Sequence, residues 1–178
     1  MNVGDPDMAA ARRTTRPAKK AQNFPGLTGS PAANLSRMIA RFSPEVASLA
    51  RAALTRLRKR FPTANRFVFD NYNGLGIGFT PSESSHDTIF SIVHYPRRVS
   101  LFFLQAMRSN LEDPLGLLQG GGNLVRFIPL ESAARVDSAP VRRLMADALK
   151  GARVKMPPAG KGRLIIKSIA AKQMPRRP

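Results

Sequence analysis

The sequence has no cysteine, and among its 178 residues only two are histidine and eleven are acidic. The absence of cysteine excludes disulfide bonds, thiolate metal sites and a cysteine nucleophile. The histidines and scattered carboxylates are too few to indicate a metal site, which needs several converging ligands. They also form no recognisable set of nucleophile, base and orienting group. We therefore predict no metal, no cofactor and no catalytic residue, and we favour a protein that is not an enzyme.

Long apolar runs are also missing from the sequence. None approaches the roughly 20 residues that are needed to cross a bilayer. The first twenty residues lack the apolar stretch of a secretory signal. The sequence therefore predicts no membrane span and a cytoplasmic location.

Acidic residues are scarcest in residues 151–178, which carry eight Lys or Arg and no Asp or Glu. This segment supplies +8 of the net charge of +18. Such a charge attracts polyanions, with nucleic acid as the first candidate and an anionic membrane surface as the second. A basic composition without a specific partner is the alternative. The predicted polyanion-binding residues are Arg153, Lys155, Lys161, Arg163, Lys167, Lys172, Arg176 and Arg177.

Large apolar side chains are few in residues 1–33, and prolines are frequent both there and in residues 151–178. Such segments bury too little apolar surface to offset the entropy that is lost when they become ordered. We therefore predict a disordered basic tail over residues 1–30, a folded domain over residues 31–150 and a loose, proline-containing basic tail over residues 151–178.

Three helices are predicted from their start signals. Ser30 and Ser43 each precede a proline, and this pair is typical of an N-cap followed by the first helical position. The second helix is expected to cover residues 44–60, because apolar residues recur there at helical spacing. A third start at Ser138 opens a helix that ends near Gly151.

Between these helices the apolar pattern changes to period two, which indicates strands. Asn73-Gly74 marks one hairpin. Residues 88–95 and 98–105 are expected to form a second hairpin, and residues 124–130 a strand that Pro129 places at an edge. The predicted fold class is α+β, with a mainly antiparallel sheet of about five strands and helices at both ends of the domain that cover one face.

Glycine alternates with large apolar residues over residues 74–79, so one face of this strand is predicted to carry almost no side chains. A bare face suits the close approach of another backbone or a packed element, and it also suits a ligand. Both explanations stay open at this point.

Polar groups near this strand make a small-molecule-binding or enzymatic domain the second functional hypothesis. A turn with two asparagines and a tyrosine offers hydrogen bonds, and a glycine run followed by an arginine offers backbone N–H groups to an anion. Turn chemistry alone also explains both segments. A histidine near the end of an apolar strand is more often structural than chemical. The candidate ligand-binding residues are Asn71, Tyr72, Asn73, His94, Gly120, Gly121, Gly122 and Arg126.

Several motifs, in a fixed order, resemble the YdhG-like domain family, a group of small bacterial domains of largely unassigned function. The resemblance covers about residues 41–178. It implies an α+β domain with an antiparallel sheet, and it offers no settled active site. The motifs are Phe67-Val68-Phe69-Asp70-Asn71-Tyr72-Asn73, Ile77-Gly78-Phe79, Ile89-Phe90-Ser91-Ile92, Val99-Ser100-Leu101-Phe102-Phe103-Leu104-Gln105, Leu118-Gln119-Gly120, Val125-Arg126 and the segment from Ile166 to Pro178.

Some members of that family have been described as frataxin-like iron chaperones. Such a role depends on a carboxylate-rich surface, because iron prefers oxygen ligands and negative charge. The first long helix of this chain is basic. We therefore do not extend the iron role to it.

Overall fold

The computed structural model describes Phe24 and residues 27–178, so the predicted tail over residues 1–30 lies almost wholly outside the described residues. Within these described residues there are three helices and six strands, with short 3₁₀ turns at Ser85–Asp87 and Ala133–Asp137. In chain order they are α1 (Pro31–Ala40), α2 (Pro44–Arg60), β1 (Asn65–Asp70), β2 (Leu75–Thr80), β3 (Phe90–Tyr95), β4 (Arg98–Phe103), β5 (Arg126–Leu130), α3 (Ala139–Gly151) and β6 (Leu164–Ile169).

The strands form one mixed sheet in the order β5-β4-β3-β2-β1-β6. Neighbours among β1 to β5 are antiparallel, whereas β6 lies parallel to β1. The α+β class and the mostly antiparallel sheet are therefore confirmed. The sheet has six strands rather than about five, because Leu164–Ile169 pairs with the edge of β1 that the hairpins leave free.

All three helices contribute to one apolar core against a single face of the sheet. Val68, Ile77, Ile92, Leu101 and Ile128 stand in one cross-strand row on that face, and each is fully buried. Burying one such side chain stabilises a fold by about 1.5–3 kcal/mol. This row therefore accounts for much of the attachment of the helices to the sheet.

The helices begin where the sequence predicts. Ser30 Oγ accepts the N–H of Ala33 at 3.2 Å, and Ser43 Oγ accepts the N–H of Val46 at 3.4 Å. Each bond satisfies one of the amides that a helix start leaves without an intrahelical partner. Ser138 precedes α3 without such a bond. Among the described helices, none is long and apolar enough to cross a membrane.

Most of residues 151–178 is folded onto the domain, contrary to the loose tail predicted there. The side chains of β6 are half-buried, and the strand adds backbone hydrogen bonds to β1. After β6 the chain crosses the end of β1, where Ala170 N–H donates to Asp70 O and Met174 N–H donates to Tyr72 O, both at 2.8 Å. The strand carries Leu164, Ile165, Ile166 and Ile169, and the sheet edge supplies the partners for its backbone.

Asp70 anchors this C-terminal segment. Its carboxylate is 1% exposed and lies 3.0 Å from the guanidinium of Arg41 and 2.7 Å from that of Arg176. The Arg176 side chain is itself 2% exposed and also donates to the carbonyl of Asn71. Since a buried charge is tolerated only when it is paired and hydrogen-bonded, Asp70 and Arg176 each require the other.

Candidate functional site

The sheet face opposite the helices contains a groove of about 580 Å³. Phe69, Gly76 and Val93 stand in one cross-strand row of this face, and Gly78 and Ser91 stand in the next row. Because the residues of β2 and β3 on this face are small, the middle of the face is recessed relative to the flanking strands. Large side chains on the flanking strands stand higher and enclose it.

Three glycines line the groove, and the two within β2, Gly76 and Gly78, have different roles. A Cβ atom at Gly78 would lie 2.8 Å from Thr88 Cγ2, so the close packing of the segment that contains Thr88 favours glycine at this position. A Cβ atom at Gly76 would lie 3.7 Å from Ser91 Oγ and 3.9 Å from Val93 Cγ2, which are ordinary contact distances. Both explanations of the bare strand face therefore apply, one to each glycine, and only Gly76 leaves space above it.

Aromatic side chains form the walls of the groove. Phe69 on β1 and Phe102 on β4 both line it, three strands apart, which is about 14 Å at the usual strand spacing. The ring of Phe102 stacks on Phe127 with centroids 5.1 Å apart, and the guanidinium of Arg98 lies 4.8 Å from the ring centroid of Tyr95. These contacts hold the rings of Phe102 and Tyr95 in place, so an apolar ligand meets a preformed surface on that side of the groove.

The two ends of the groove differ in polarity. The turn between β1 and β2 lines one end with the amides of Asn71 and Asn73. The other end is lined by Gln105, Arg108 and Arg153. No carboxylate is among the lining residues in the described part of the chain. One end is therefore neutral and the other positive.

Arg153 is held in place by Asp87, which is nearly buried. The Nε of Arg153 lies 3.1 Å from Asp87 Oδ1, and its backbone N–H donates to Gln105 Oε1 at 3.2 Å. The hydroxyl of Ser82 and the guanidinium of Arg153 hold the pKa of Asp87 below its ordinary value, so this carboxylate is ionised near neutral pH. The charge of Arg153 is thereby largely balanced within the protein.

Arg108 is in a different state from Arg153. Its side chain is exposed at the groove end. It makes no hydrogen bond or ion pair with any other residue that the structure describes. A guanidinium has five N–H donors in a planar fork, so Arg108 offers a full set of donors to a ligand.

The predicted ligand residues of the hairpin divide between groove and solvent. Asn71 and Asn73 line the groove, whereas Tyr72 is absent from its lining and is 51% exposed. The carbonyl of Tyr72 accepts the N–H of Met174 at 2.8 Å. The side-chain amides of this turn therefore line the groove, and its backbone binds the C-terminal segment.

The glycine run and its arginine lie outside the groove. A Cβ atom at Gly121 or Gly122 would meet nothing within 4 Å, which places this part of the loop in open solvent. Arg126 donates to the carbonyls of Gly122 and Val125. These donors are directed to the backbone of its own loop, so the structure does not bring Gly120, Gly121, Gly122 and Arg126 together with the asparagines.

His94 lies on the helix-covered face, away from the groove, and is fully buried. Its Nδ1 lies 2.8 Å from the carbonyl oxygen of Leu75, and its ring lies 5.7 Å from that of Phe42. Burial lowers the pKa of His94 to about 4, since an apolar environment disfavours the charged imidazolium. The Nδ1 contact therefore fits a neutral ring that donates to Leu75, and His94 is a core residue rather than a ligand-binding one.

We expect acid to destabilise the protein through His94. Its folded pKa of about 4 lies below the ordinary value of 6.5, so the unfolded chain binds an extra proton between these values. The contribution of neutral His94 to the free energy of unfolding is therefore complete above about pH 6.5. The free energy of unfolding should fall by about 2 kcal/mol between pH 7.5 and pH 5. Urea denaturation at both pH values measures this loss.

The matched variant for this prediction is His94→Asn, whose amide can still donate to the carbonyl of Leu75. It should be less stable at neutral pH but should lose most of the dependence between pH 7.5 and pH 5. An unchanged dependence in the variant would assign the acid sensitivity to another group.

Most of the predicted polyanion-binding cations are engaged within the chain. Arg153, Arg163 and Arg176 form ion pairs with acidic side chains. Lys161 and Lys172 are exposed and have no such partner in the described residues. The others bind backbone carbonyls, Lys155 that of Lys150, Lys167 that of Glu83 and Arg177 those of residues 40–42. The C-terminal segment therefore presents less free positive charge than its composition predicts.

Sequence reasoning missed several groove residues, among them Phe69, Phe102 and Arg108. One signal for Phe69 was present, because the hairpin register places it directly opposite Gly76. The apolar pattern alone assigns both phenylalanines to the core. Arg108 lies in a stretch without periodicity, so no local pattern marks it.

Comparisons with protein-family models, curated proteins and solved structures find no match to this chain. The resemblance to the YdhG-like domain family therefore stays a prediction from the motifs. Within the described residues, no group of three or more His, Asp or Glu side chains is placed to hold a metal ion.

Proposed function

We propose that this domain is a non-enzymatic binding protein whose ligand is a small molecule, and that the apolar body of the ligand lies over Gly76 between Phe69 and Phe102. The observation that carries the proposal is the space above Gly76, where a side chain would fit without a clash. Glycine weakens a strand, so this position keeps a groove open at a cost in stability. Its volume of about 580 Å³ lies within the range of small-molecule sites.

The groove lining favours binding over catalysis. An imidazole, that of His86, and several hydroxyls line the groove, but no carboxylate does so among the described residues. A hydroxyl nucleophile needs a base within hydrogen-bond reach. Within the described residues, the ring of His86 makes no hydrogen bond to a lining hydroxyl. The groove therefore has contact surface and orienting groups without an assembled catalytic set.

A polyanion such as nucleic acid is the weaker candidate partner. Three of the eight C-terminal cations that motivate it, Arg153, Arg163 and Arg176, form ion pairs within the chain, and Arg177 donates to backbone carbonyls. Phosphate binding depends on cations that are free to replace the counterions of the polyanion. The groove, by contrast, brings together apolar walls and a guanidinium, that of Arg108, which has no partner among the described residues.

Filling the groove floor should separate binding from stability. We expect Gly76→Val to bind the neutral apolar dye Nile red about tenfold more weakly, since three added carbons occupy the space above the floor. The same variant should be about 0.5 kcal/mol more stable, because a β-branched residue suits a strand better than glycine. Fluorescence titration and urea denaturation measure the two effects.

Gly121→Val is the matched control, because it makes the same change in a solvent-exposed loop outside the groove. It should bind Nile red as the unmodified protein does. Gly76→Ala should give an intermediate loss of affinity. If Gly76→Val binds the dye with unchanged affinity, the groove is not the binding site and the proposed function fails.

A further inference from the structure

We infer that the ligand of the groove carries one anionic group, a carboxylate or a phosphate monoester, and that this group binds at Arg108. The inference rests on the proposed function and adds the chemical class of the ligand and its orientation. Its basis is charge complementarity: two arginines line the groove, while none of its described lining residues is acidic.

The two arginines contribute in different ways. Arg153 is fixed by Asp87, whose carboxylate is nearly buried and also accepts the hydroxyl of Ser82 at 2.6 Å. An anion at Arg153 would compete with this carboxylate. Arg108 has no such partner among the described residues, so it is the guanidinium that lacks a counterion at this end of the groove.

The surroundings of Arg108 favour an anion with an apolar body over a free inorganic ion. Leu104 and Leu124 line the same part of the groove, and Leu124 is 46% exposed. An apolar body that covers these side chains would exclude water from the guanidinium. The ion pair would then be stronger than one at an open surface.

The groove also sets the direction and length of the ligand. Gly74, just before β2, and Gly76 and Gly78 within it lie along the groove from the asparagine turn toward the basic end. Four steps along a strand span about 13 Å. The inferred ligand therefore has its anion at Arg108, an apolar body of about this length over Gly76 and, where it reaches the turn, a polar end beside Asn71 and Asn73.

Competition with bound Nile red tests the charge requirement. The probes share one ring system and differ in charge: 2-naphthoate, 2-naphthalenemethanol and 2-naphthylmethylammonium. We expect naphthoate to displace the dye at about a tenfold lower concentration than the alcohol, and the ammonium compound to be weakest. Naphthyl phosphate is the second anion; it too should bind more tightly than the alcohol, and its rank against naphthoate distinguishes the two anion classes.

The readout is the ratio of the alcohol concentration to the naphthoate concentration that displaces half of the dye, measured within each variant. Arg108→Gln should reduce this ratio to near one. Arg142→Gln, which removes an exposed cation of α3 outside the groove, should keep it near ten.

Two results would overturn the inference while leaving the groove function intact. One is equal displacement by naphthoate and the alcohol in the unmodified protein. The other is a preference for naphthoate that survives Arg108→Gln. Failure of the proposed function looks different, because the affinity for Nile red itself would then not respond to Gly76→Val.

Discussion

Arg176→Ala should destabilise the domain by about 3 kcal/mol. Arg176 is buried and its guanidinium lies 2.7 Å from the buried carboxylate of Asp70. Removing one partner of such a pair costs about 3–5 kcal/mol, because it leaves a charge without compensation. We expect the lower end of that range, since Arg41 still lies 3.0 Å from Asp70. The midpoint of urea denaturation measures the loss.

Lys172→Ala is the matched control for this prediction. It removes a cation of the same segment that is exposed, so its effect should stay within about 0.5 kcal/mol. A double-mutant cycle with Asp70→Asn should give a coupling energy of at least about 1 kcal/mol. If Arg176→Ala denatures at the same midpoint as Lys172→Ala, the C-terminal segment is as loose as the composition suggests, and the structural assignment fails.

Gly162→Ala should cost about 3 kcal/mol and detach β6 from the sheet. A Cβ atom at Gly162 would lie 1.7 Å from the carbonyl oxygen of Ala64, a distance that only a backbone shift can relieve. Gly162 N–H donates to Pro62 O at 2.9 Å, and Arg163 N–H donates to Asn65 Oδ1 at the same distance. Overpacking costs about 1–3 kcal/mol, and here the clash also breaks the start of a strand.

Amide hydrogen exchange over Leu164–Ile169 checks this prediction directly, since released edge-strand amides exchange quickly. Gly121→Ala is the control, because a Cβ atom at Gly121 meets nothing within 4 Å. It should change neither the exchange of β6 nor the free energy of unfolding. Protected β6 amides in Gly162→Ala would contradict the close approach at Ala64.

The C-terminal segment and the groove meet at the turn between β1 and β2. Arg176 donates to the carbonyls of Asn71 and Tyr72, and Met174 N–H also donates to Tyr72 O. The side chain of Asn71 lines the groove. The segment therefore supports the backbone of a turn whose amides form one end of the proposed binding site.

Local signals were sufficient for the helices and for the antiparallel part of the sheet. The caps at Ser30 and Ser43 depend on neighbouring residues only, and the stripe of residues 44–60 follows from the helical period. The hairpin between β1 and β2 was also found locally, but its turn is centred on Tyr72 and Asn73: Asp70 pairs with Leu75, and neither Asn73 nor Gly74 has the positive φ that the Asn-Gly signal predicts. Such features lie within a few residues of one another, so the printed sequence reveals them.

The chain itself also determined the low floor of the groove, because glycine at position 76 brings no side chain to any surface. Only the tertiary structure decided which face of the sheet that floor is on, where Arg108 lies and which strand Leu164–Ile169 pairs with. β6 is stabilised by the free edge of β1, and Arg176 by a carboxylate more than 100 residues away. The apolar run of Leu164–Ile169 favours a strand locally, but the partners that order this strand and Arg176 are distant in sequence, so local patterns do not identify them.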